Sequence, residues 1–583
     1  MHRTSSRSKD RLVVVLCLTA IAAYAVLMRC LHLLNPDHYY IVSADSYFFH
    51  WQADRLMSGQ SLFLTWHSGL TYALAYVARV ISFVSGIAPM DALTLAGKLI
   101  PPMLGAVTLV AIYLAASRMY SRRVGLWAAF GSAILSYTVM VQTAGYLDRD
   151  GLSMLLLTIG VFVFYFSRGW HFRIAGRDIG WVIGPLIVIV IEGLLFLEWL
   201  WIGVALLLAV LIAFVVSEVL IDLLLHLAQT PTKGKDATIS AKQSMMDAVA
   251  AVRGSSWRPV ALIVGVSVVV GAITPGIASI SHTTGDIARD LFSETAGVSE
   301  LQPFSVEDIY LFGVLIIPLL VGMYVTVTRH RKEDLLCLSW FACLFGMGLF
   351  ATRLFIYAAP ATCIICGIGL ASIFSFDSVS KSPSCIRIGG EILVGPSPRF
   401  LKMCGAMLLL VPLLLAPPYA AYGSGSGGRV SANTEWQRAL AYLKQNSPED
   451  STVMSWWDYG YWILDMADRR PVVDNGFYGW DQERLDDVGL AYCTTEPSEA
   501  VRVMQKHGAD YLIFSRVEVA ILPSITTYGI GVASGDGRSV PDELKDSLYN
   551  RSLYGDFQSG DGLRRVYPSP EVEHPEVVIL GLE

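Results

Sequence analysis

The stretch Leu12-Val-Val-Val-Leu-Cys-Leu-Thr-Ala-Ile-Ala-Ala-Tyr-Ala-Val-Leu-Met28 decides the fold class of this chain. It carries no charged side chain, and a helix that crosses the hydrocarbon core of a bilayer needs about 20 mostly apolar residues, with slightly shorter runs tolerated. The run follows a basic start, and no small-residue cleavage site comes after it. We therefore interpret it as a retained signal-anchor helix rather than a cleaved signal peptide.

Similar apolar runs recur along the whole chain. It has 583 residues, of which 54% are hydrophobic and only 16% are charged, whereas soluble domains carry about 25% charge. By the length rule we count about eleven spans. The sequence thus predicts a polytopic α-helical membrane protein. Examples of the other runs are residues 124–141, 182–197, 204–220, 259–280 and 404–419.

Basic loops alternate with loops that are poor in lysine and arginine, and this pattern predicts the orientation of the chain. The positive-inside rule places the basic loops and the N-terminus in the cytoplasm. The outer loops 34–92 and 281–308 and the turn 146–150 then fall on the other side, together with the C-terminal part. The basic loops contain Arg118, Arg168, Lys233, Arg329 and Lys381.

The C-terminal part has the composition of a separate acidic domain. A glycine- and serine-rich linker at 423–428 precedes it, and residues 423–583 contain 25 acidic and 14 basic side chains. Trp436, Leu440 and Leu443 recur at a helical spacing, residues 498–507 show a second helical pattern, and 511–514 is typical of a strand. We predict a transmembrane catalytic domain over 1–422 and an extracytoplasmic α/β domain over 423–583. The net charge of the whole chain, −6, gives no indication of nucleic-acid binding.

Four carboxylates are predicted to lie near one face of the bilayer. They are Asp45 after the first span, Asp148 and Asp150 in a tight turn, and Glu300 in an outer loop. Hard divalent cations such as Mg²⁺ and Mn²⁺ prefer several oxygen ligands, so these side chains could form one metal site. The alternative is that they are simply solvated acidic loop residues.

Arg353 lies between two apolar runs at the same predicted face. Ionisable groups at such depths are costly and often functional, and a guanidinium suits the oxygens of a phosphate. The alternative is an interfacial arginine that extends its head to water. We favour a phosphate-binding role.

The most specific pattern is Ser455-Trp-Trp-Asp-Tyr-Gly-Tyr461. It offers two indole N–H donors, one carboxylate and a flat apolar wall, which together could bind a small hydroxyl such as a serine or threonine side chain. The alternative is a packed aromatic core.

The sequence 456–460, WWDYG, resembles the signature of oligosaccharyltransferase catalytic subunits, and in particular the prokaryotic single-subunit PglB- and AglB-like members. The resemblance runs from about residue 11 to about residue 530. The other landmarks occur in the family's order, at Asp45, 145–150, 297–303 and 353–357.

The resemblance implies a membrane fold of the GT-C type with about 11–13 transmembrane helices. It also implies transfer of an oligosaccharide, with inversion, from a polyprenyl-diphosphate (or phosphate) carrier to asparagine in Asn-X-Ser/Thr. Asp45 and Glu300 are implied to be catalytic. Asp45, Asp148, Asp150 and Glu300 are implied to surround the divalent cation, Mn²⁺ or Mg²⁺.

Further roles follow from the same resemblance. Arg353 is implied to contact the donor diphosphate, and Trp456, Trp457 and Asp458 are implied to bind the Ser/Thr hydroxyl. The family's second C-terminal motif is matched poorly, and its best candidate runs from Val517 to Ile521.

The chain also departs from the family pattern. The family usually has thirteen spans, against about eleven counted here. Bacterial members use an arginine to select an acidic residue two positions before the acceptor asparagine (position −2). This chain has Phe312 in place of that arginine, so we expect no strict requirement for an acidic residue at −2. The resemblance implies a multi-pass protein of the cell (plasma) membrane with an extracytoplasmic site, active without partner subunits, and we expect the loop 281–308 to close over the acceptor.

Two other interpretations remain open. One is another polyprenyl-phosphate-sugar glycosyltransferase, such as an O- or C-mannosyltransferase. The other is a transporter, which would place ionisable groups near the middle of the membrane.

Overall fold

The structure is a computed structural model of the full chain. It describes residues 2–34, 41–62, 69–169, 203–229, 312–329, 331–349, 352–375, 432–475 and 482–532, most of 538–583, and short pieces within 173–191 and 384–414. Glu300, the loop 281–308, the run 259–280, the linker 423–428 and most of 404–419 lie outside the described residues.

The described residues before 376 are mainly helical, as the apolar runs predict. Among them, four helical stretches are long and apolar enough to cross a membrane: Arg11–Leu34, Pro89–Met119, Arg149–Ser167 and Thr352–Ile373. Shorter apolar stretches run over Gly69–Ser85, Leu206–Val219 and Gly313–Arg329. The helices are α1 (His2–Cys30), α2 (Ala44–Met57), α3 (Gly69–Ser85), α4 (Pro89–Met119), α5 (Arg122–Ile134), α6 (Ser136–Met140), α7 (Arg149–Ser167), α8 (Gly203–Gln229), α9 (Ile316–Arg329), α10 (Lys332–Gly348) and α11 (Phe355–Ile373).

The predicted continuous span 124–141 is wrong. Helix α5 ends at Ile134 because Leu135 is extended (φ −65°, ψ 123°), and the short α6 follows. The carbonyl groups of Ser132 and Ala133 at this break accept hydrogen bonds from the buried guanidinium of Arg29, at 3.1 and 3.5 Å. A cation at a helix C-terminus is favourable, so a side chain from another helix stabilises the break.

The predicted basic loops and the predicted acidic turn lie at opposite ends of α7. At its C-terminal end, Glu218 pairs with Arg168 (2.8 Å) and with Lys332 (3.1 Å). Its N-terminal end carries Asp148 as the capping residue. A 19-residue helix is about 28 Å long, which is close to the hydrocarbon thickness of a bilayer.

The C-terminal part forms a five-stranded mixed sheet flanked by helices. The strand order is β6-β5-β7-β9-β8, with parallel pairs on either side of β5 and antiparallel pairs around β9. Before it, two short hairpins form from β1 (Arg173–Ile174) with β2 (Arg177–Asp178) and from β3 (Ser384–Ile388) with β4 (Glu391–Gly395). The elements of this part are α12 (Thr434–Asn446), β5 (Thr452–Met454), α13 (Gly460–Trp462), a π-helix (Ile463–Ala467), β6 (Arg470–Pro471), α14 (Gln482–Cys493), α15 (Pro497–Lys506), β7 (Tyr511–Ser515), α16 (Leu522–Ile530), α17 (Leu548–Tyr554), β8 (Leu563–Tyr567) and β9 (Val577–Leu582), with 3-10 turns at Trp457–Tyr459, Arg516–Ile521 and Asp542–Leu544.

The helix predicted from the spacing of Trp436, Leu440 and Leu443, the helix predicted at 498–507 and the strand predicted at 511–514 are confirmed by α12, α15 and β7. Trp436, Leu440 and Leu443 on one face of α12 are fully buried in the core of this part.

Helix α2 connects the two parts of the chain. Tyr47, Phe48 and Phe49 belong to the same buried cluster as the C-terminal core. The ring of Phe48 lies 5.0 Å from that of Tyr461, and Tyr47 meets Trp462 edge-on at 6.0 Å. Burying aromatic side chains is strongly favourable, so α2 holds the WWDYG region against the membrane part.

Candidate functional site

The acidic turn and the start of α2 are joined by two hydrogen bonds. The backbone N–H of Val42 donates to the carbonyl of Gly145 (2.9 Å), and the N–H of Leu147 donates to Oγ of Ser46 (2.8 Å). Gly145 has φ 83°, a conformation that favours glycine. Asp45 and Asp148 therefore lie on two segments that are fixed directly against each other.

Asp45 lies in the first turn of α2, after Ser43 with φ 79°. A positive φ is uncommon for a residue other than glycine, and such strain persists only where the surroundings enforce it. It sets the direction in which the chain enters α2 and so helps to place Asp45.

Asp148 and Asp150 form a buried cluster with the predicted phosphate-binding arginine. Nη2 of Arg353 lies 3.1 Å from Oδ2 of Asp150 and 3.5 Å from Oδ2 of Asp148. The hydroxyl of Tyr357 donates to Oδ1 of Asp150 (2.8 Å), and that of Tyr146 donates to Asp148 (3.2 Å). Three of the predicted site residues thus come together, in an arrangement that orients both carboxylates.

Asp45 faces the C-terminal part. Nδ2 of Asn475 donates a hydrogen bond of 3.2 Å to Oδ1 of Asp45. The pKa of Asp458 is raised to about 7, first by burial and then by the negative charge of Asp45. The predicted catalytic carboxylate and the predicted acceptor-binding carboxylate are therefore close enough to repel each other.

The WWDYG segment forms a 3-10 turn over Trp457–Tyr459. Trp456 is buried, at 1% exposure, whereas Trp457 and Asp458 are partly exposed. A Cβ on Gly460 would lie 2.5 Å from the Cβ of Asp474, so the turn needs glycine here. Within this motif, Trp456 belongs to the core, while Trp457 and Asp458 are available to a ligand.

The candidate second motif, from Val517 to Ile521, lies beside WWDYG. Strands β5 and β7 are parallel neighbours, with Val453 opposite Tyr511, and their carboxyl ends lead into the 3-10 turns Trp457–Tyr459 and Arg516–Ile521. Ligands often bind outside the carboxyl ends of parallel strands.

A buried hydrogen-bond network joins the two motifs through Tyr492. Its hydroxyl accepts from the N–H of Trp456 (3.0 Å), donates to the carbonyl of Ile513 (2.8 Å), and lies 2.9 Å from Oε1 of Glu518. Burial raises the pKa of Glu518 well above its ordinary value. The single hydroxyl proton of Tyr492 cannot be donated to both Ile513 and Glu518 at once, and the raised pKa of Glu518 favours a carboxyl group that can itself donate to Tyr492.

A second link between α2 and the C-terminal part is ionic. Nδ1 of His50 lies 2.7 Å from Oδ1 of Asp465, and both side chains are buried. Burial lowers the pKa of His50, but the charge and hydrogen bond of Asp465 and the charge of Asp54 outweigh it, so the pKa is raised. This pair holds α2 in place one turn beyond Asp45.

The described residues fit a divalent cation in donor type but do not complete a site. Among them, no three His, Cys, Asp or Glu side chains are close enough to hold a metal ion. Asp45, Asp148 and Asp150 supply the carboxylate oxygens that Mg²⁺ and Mn²⁺ prefer. The predicted fourth residue, Glu300, lies outside the described part of the chain.

Comparison with known proteins supports the resemblance seen in the sequence. A family model described as the AglB core domain matches residues 435–519, which include WWDYG. The STT3B subunit of the rice dolichyl-diphosphooligosaccharide–protein glycosyltransferase is 28% identical over 257 residues, which cover 39% of this chain and 35% of that protein. This chain is thus similar to the catalytic subunits of oligosaccharyltransferases.

Members of this family from archaea extend the comparison. Dolichyl-phosphooligosaccharide-protein glycotransferase 1 of Pyrococcus furiosus is 28% identical over 28% of this chain and 16% of that protein. The structure of AglB from Archaeoglobus fulgidus, in complex with an inhibitory peptide and a dolichol-phosphate, aligns with a TM-score of 0.68 at 15% identity over 96% of this chain and 80% of that one. The fold is thus that of a polytopic helical membrane protein. The matches to the rice protein span about a third of its length.

These similarities favour the oligosaccharyltransferase interpretation over the mannosyltransferase and transporter interpretations. Within the described residues, the acidic cluster also lies at one end of α7 rather than in its middle.

Sequence reasoning did not find Tyr357, Asn475, the His50–Asp465 pair or the protonated Glu518. Tyr357 lies four residues after Arg353, a helical spacing that could have indicated a shared partner. The others depend on contacts between distant parts of the chain, for which one sequence contains no signal.

Proposed function

We propose that this chain transfers an oligosaccharide from a polyprenyl-diphosphate (or phosphate) carrier to asparagine in Asn-X-Ser/Thr. The observation that carries this proposal is the hydrogen bond from Asn475 to Asp45 beside Asp458. It places the family's first acidic residue next to its WWDYG motif.

Asp45 acts on the acceptor asparagine. The nitrogen of a carboxamide is a poor nucleophile because its lone pair is delocalised into the carbonyl. Asp45 and Glu300 accept hydrogen bonds from the amide N–H groups and weaken that conjugation. The nitrogen then attacks the anomeric carbon in line as the bond from that carbon to the diphosphate (or phosphate) oxygen breaks, with inversion, and the proton lost from the amide passes to one of these carboxylates.

Trp457 and Asp458 bind the hydroxyl two residues after the asparagine. Both are partly exposed, and the raised pKa of Asp458 lets its carboxyl group donate or accept near neutral pH. A site built to bind a hydroxyl rejects peptides that lack it, because its polar groups would be left unpaired. Trp456 supports them from the core, and Val517 and Ile521 form the adjoining wall.

Arg353 binds the diphosphate of the donor. It lies at the N-terminal end of α11, held against Asp148 and Asp150, and its remaining N–H groups suit phosphate oxygens. Asp45, Asp148 and Glu300, with Asp150 close by, would hold Mn²⁺ or Mg²⁺. When bound, the cation supplies Lewis-acid neutralisation of the departing diphosphate.

We assign residues 1–422 to a transmembrane catalytic domain and 423–583 to an extracytoplasmic domain. The separation of basic and acidic residues between the ends of α7 and the positive-inside rule support a site on the outer face of the plasma membrane. The enzyme works without partner subunits. Phe312, which packs edge-on against Tyr137 and Phe355, makes a strict acidic −2 requirement unexpected.

The test is a transfer assay with purified full-length protein, MnCl₂ or MgCl₂, a lipid-linked glycan extract and a labelled Asn-Ala-Thr peptide. We expect a glycopeptide by mass spectrometry and none from a matched Gln-Ala-Thr peptide. Absence of glycopeptide, with a donor extract that an established oligosaccharyltransferase can use, would overturn the proposal.

A further inference from the structure

Asn475 is the side chain through which the C-terminal part reaches Asp45. It follows the buried pair Val473 and Asp474, against which Gly460 of the WWDYG turn packs. Its amide nitrogen donates to Oδ1 of Asp45 at 3.2 Å across 430 residues of sequence. The position of Asn475 is thus tied to that of the acceptor-binding motif.

The orientation of this amide is set by charge. Its nitrogen faces a carboxylate, and the opposite orientation would direct a carbonyl oxygen at a negative charge. Asn475 therefore presents a hydrogen-bond donor to Asp45 from the same part of the chain that carries the like-charged Asp458.

The other end of the amide is buried without a partner. Among the described residues, no donor lies within hydrogen-bonding distance of Oδ1 of Asn475. Leaving a buried carbonyl oxygen unpaired costs free energy, so a bound group that donates to this oxygen would be favoured. A peptide lying across Asp45 and Trp457 carries backbone and side-chain N–H groups that could donate to this oxygen.

We infer that Asn475 is a positioning residue that holds Asp45 in the orientation that receives the acceptor amide, and that its carbonyl oxygen accepts an N–H group of the bound peptide. The inference rests on the proposed function. The placement of the proposed catalytic carboxylate, Asp45, then depends on the same domain that binds the hydroxyl of the serine or threonine in Asn-X-Ser/Thr.

The experiment compares Asn475→Ala with wild type in the transfer assay at saturating donor. We expect kcat to fall about tenfold, because a hydrogen bond to a charged group is lost, and KM for the peptide to rise about threefold. Asn446→Ala is the matched control, since Asn446 makes one exposed hydrogen bond to the carbonyl of Tyr442 (2.9 Å) far from Asp45. If kcat and KM of Asn475→Ala both lie within twofold of the values for wild type and for Asn446→Ala, the inference is overturned.

A near-isosteric variant, Asn475→Asp, separates positioning from folding. It keeps the shape of the side chain but replaces the N–H donor that faces Asp45 by an oxygen. We expect its kcat to fall at least as far as that of Asn475→Ala, because a carboxylate at this position repels Asp45. A kcat within twofold of wild type would contradict the positioning role.

The two proposals fail differently. If wild type and Asn446→Ala both form glycopeptide and Asn475→Ala equals them, the inference is wrong and the proposed function stands. If wild type forms none, both are wrong.

Discussion

Arg353 reaches Asp150, 203 residues away in sequence, with Nε 3.2 Å and Nη2 3.1 Å from the same carboxylate oxygen. The residue predicted to bind the donor phosphate is therefore paired with a residue predicted to surround the metal. The single positive charge of the guanidinium offsets part of the charge of two buried carboxylates, which would also hold the proposed cation. The predicted phosphate-binding role of Arg353 and the predicted metal-binding role of Asp148 and Asp150 therefore depend on the same local balance of charges.

Replacing Arg353 by methionine should make the fold depend on a divalent cation. Removing one partner of a buried ion pair costs about 3–5 kcal/mol, somewhat less here because Arg353 is 21% exposed. Bound Mn²⁺ would compensate for part of the lost positive charge. We expect thermal unfolding in detergent to show a larger Mn²⁺-dependent increase in Tm for Arg353→Met than for wild type. Equal increases would argue against a cation beside Asp148 and Asp150.

The His50–Asp465 pair predicts a pH-dependent stability. Because the pKa of His50 is raised in the folded protein, the pair stabilises fully below the unfolded value of about 6.5, and this contribution is lost as the pH rises through the folded pKa. We expect His50→Gln to lose on the order of 1 kcal/mol at low pH and to approach wild type at high pH.

Thermal unfolding measured across this pH range checks the prediction. His574→Asn, at an exposed position with φ 53°, is the control because asparagine tolerates this conformation. A constant difference between His50→Gln and wild type would exclude the ionic link.

The two tryptophans of WWDYG should respond differently to alanine. Trp456→Ala removes a buried side chain and should destabilise by roughly 3–5 kcal/mol. Trp457→Ala, at a partly exposed position, should leave Tm nearly unchanged and weaken binding of an Asn-X-Thr peptide about tenfold. Donor binding should change less than acceptor binding in Trp457→Ala. Tm and fluorescence-polarisation binding separate these outcomes, and the reverse pattern would assign the hydroxyl site to Trp456.

Glu518→Gln should fold nearly as stably as wild type, whereas Glu518→Ala should lose about 1–3 kcal/mol for each hydrogen-bonding group left unpaired. Glutamine reproduces a protonated glutamate, with its amide toward Tyr492 and its oxygen toward the N–H of Ser515, which now donates at 2.9 Å. The raised pKa of Glu518 means that wild-type stability falls as the pH rises above about 4.3, where the unfolded chain loses this proton. Glu518→Gln should lack this pH-dependent loss of stability. If the stability of Glu518→Gln depends on pH in the same way as that of wild type, Glu518 is ionised in the folded protein.

Local patterns predicted several elements well. The apolar run starting at Leu12, the face of α12 that carries Trp436, and the strand at Tyr511 each contain their own periodicity or length signal. The break at Leu135 does not, because Arg29 from another helix stabilises it.

The site residues likewise divide into those with a local sequence signal and those that depend on contacts between distant parts of the chain. Motif order alone led to the predictions for Asp45, Asp148 and Arg353, since each lies in a recognisable local segment. Asn475 could not be found, because its role depends on a partner 430 residues away. A contact of that kind exists only after α2 has packed against the C-terminal core.

The most direct test of the central claim is the metal-dependent rate of glycopeptide formation by wild type, Asp45→Asn and Asp148→Asn. Both changes keep the side-chain shape and remove one negative charge beside the proposed cation. We predict Mn²⁺- or Mg²⁺-dependent transfer to Asn-Ala-Thr by wild type and at least a hundredfold loss in each variant, as expected when charge stabilisation is removed from a reaction site. Transfer that persists in both variants would contradict the account.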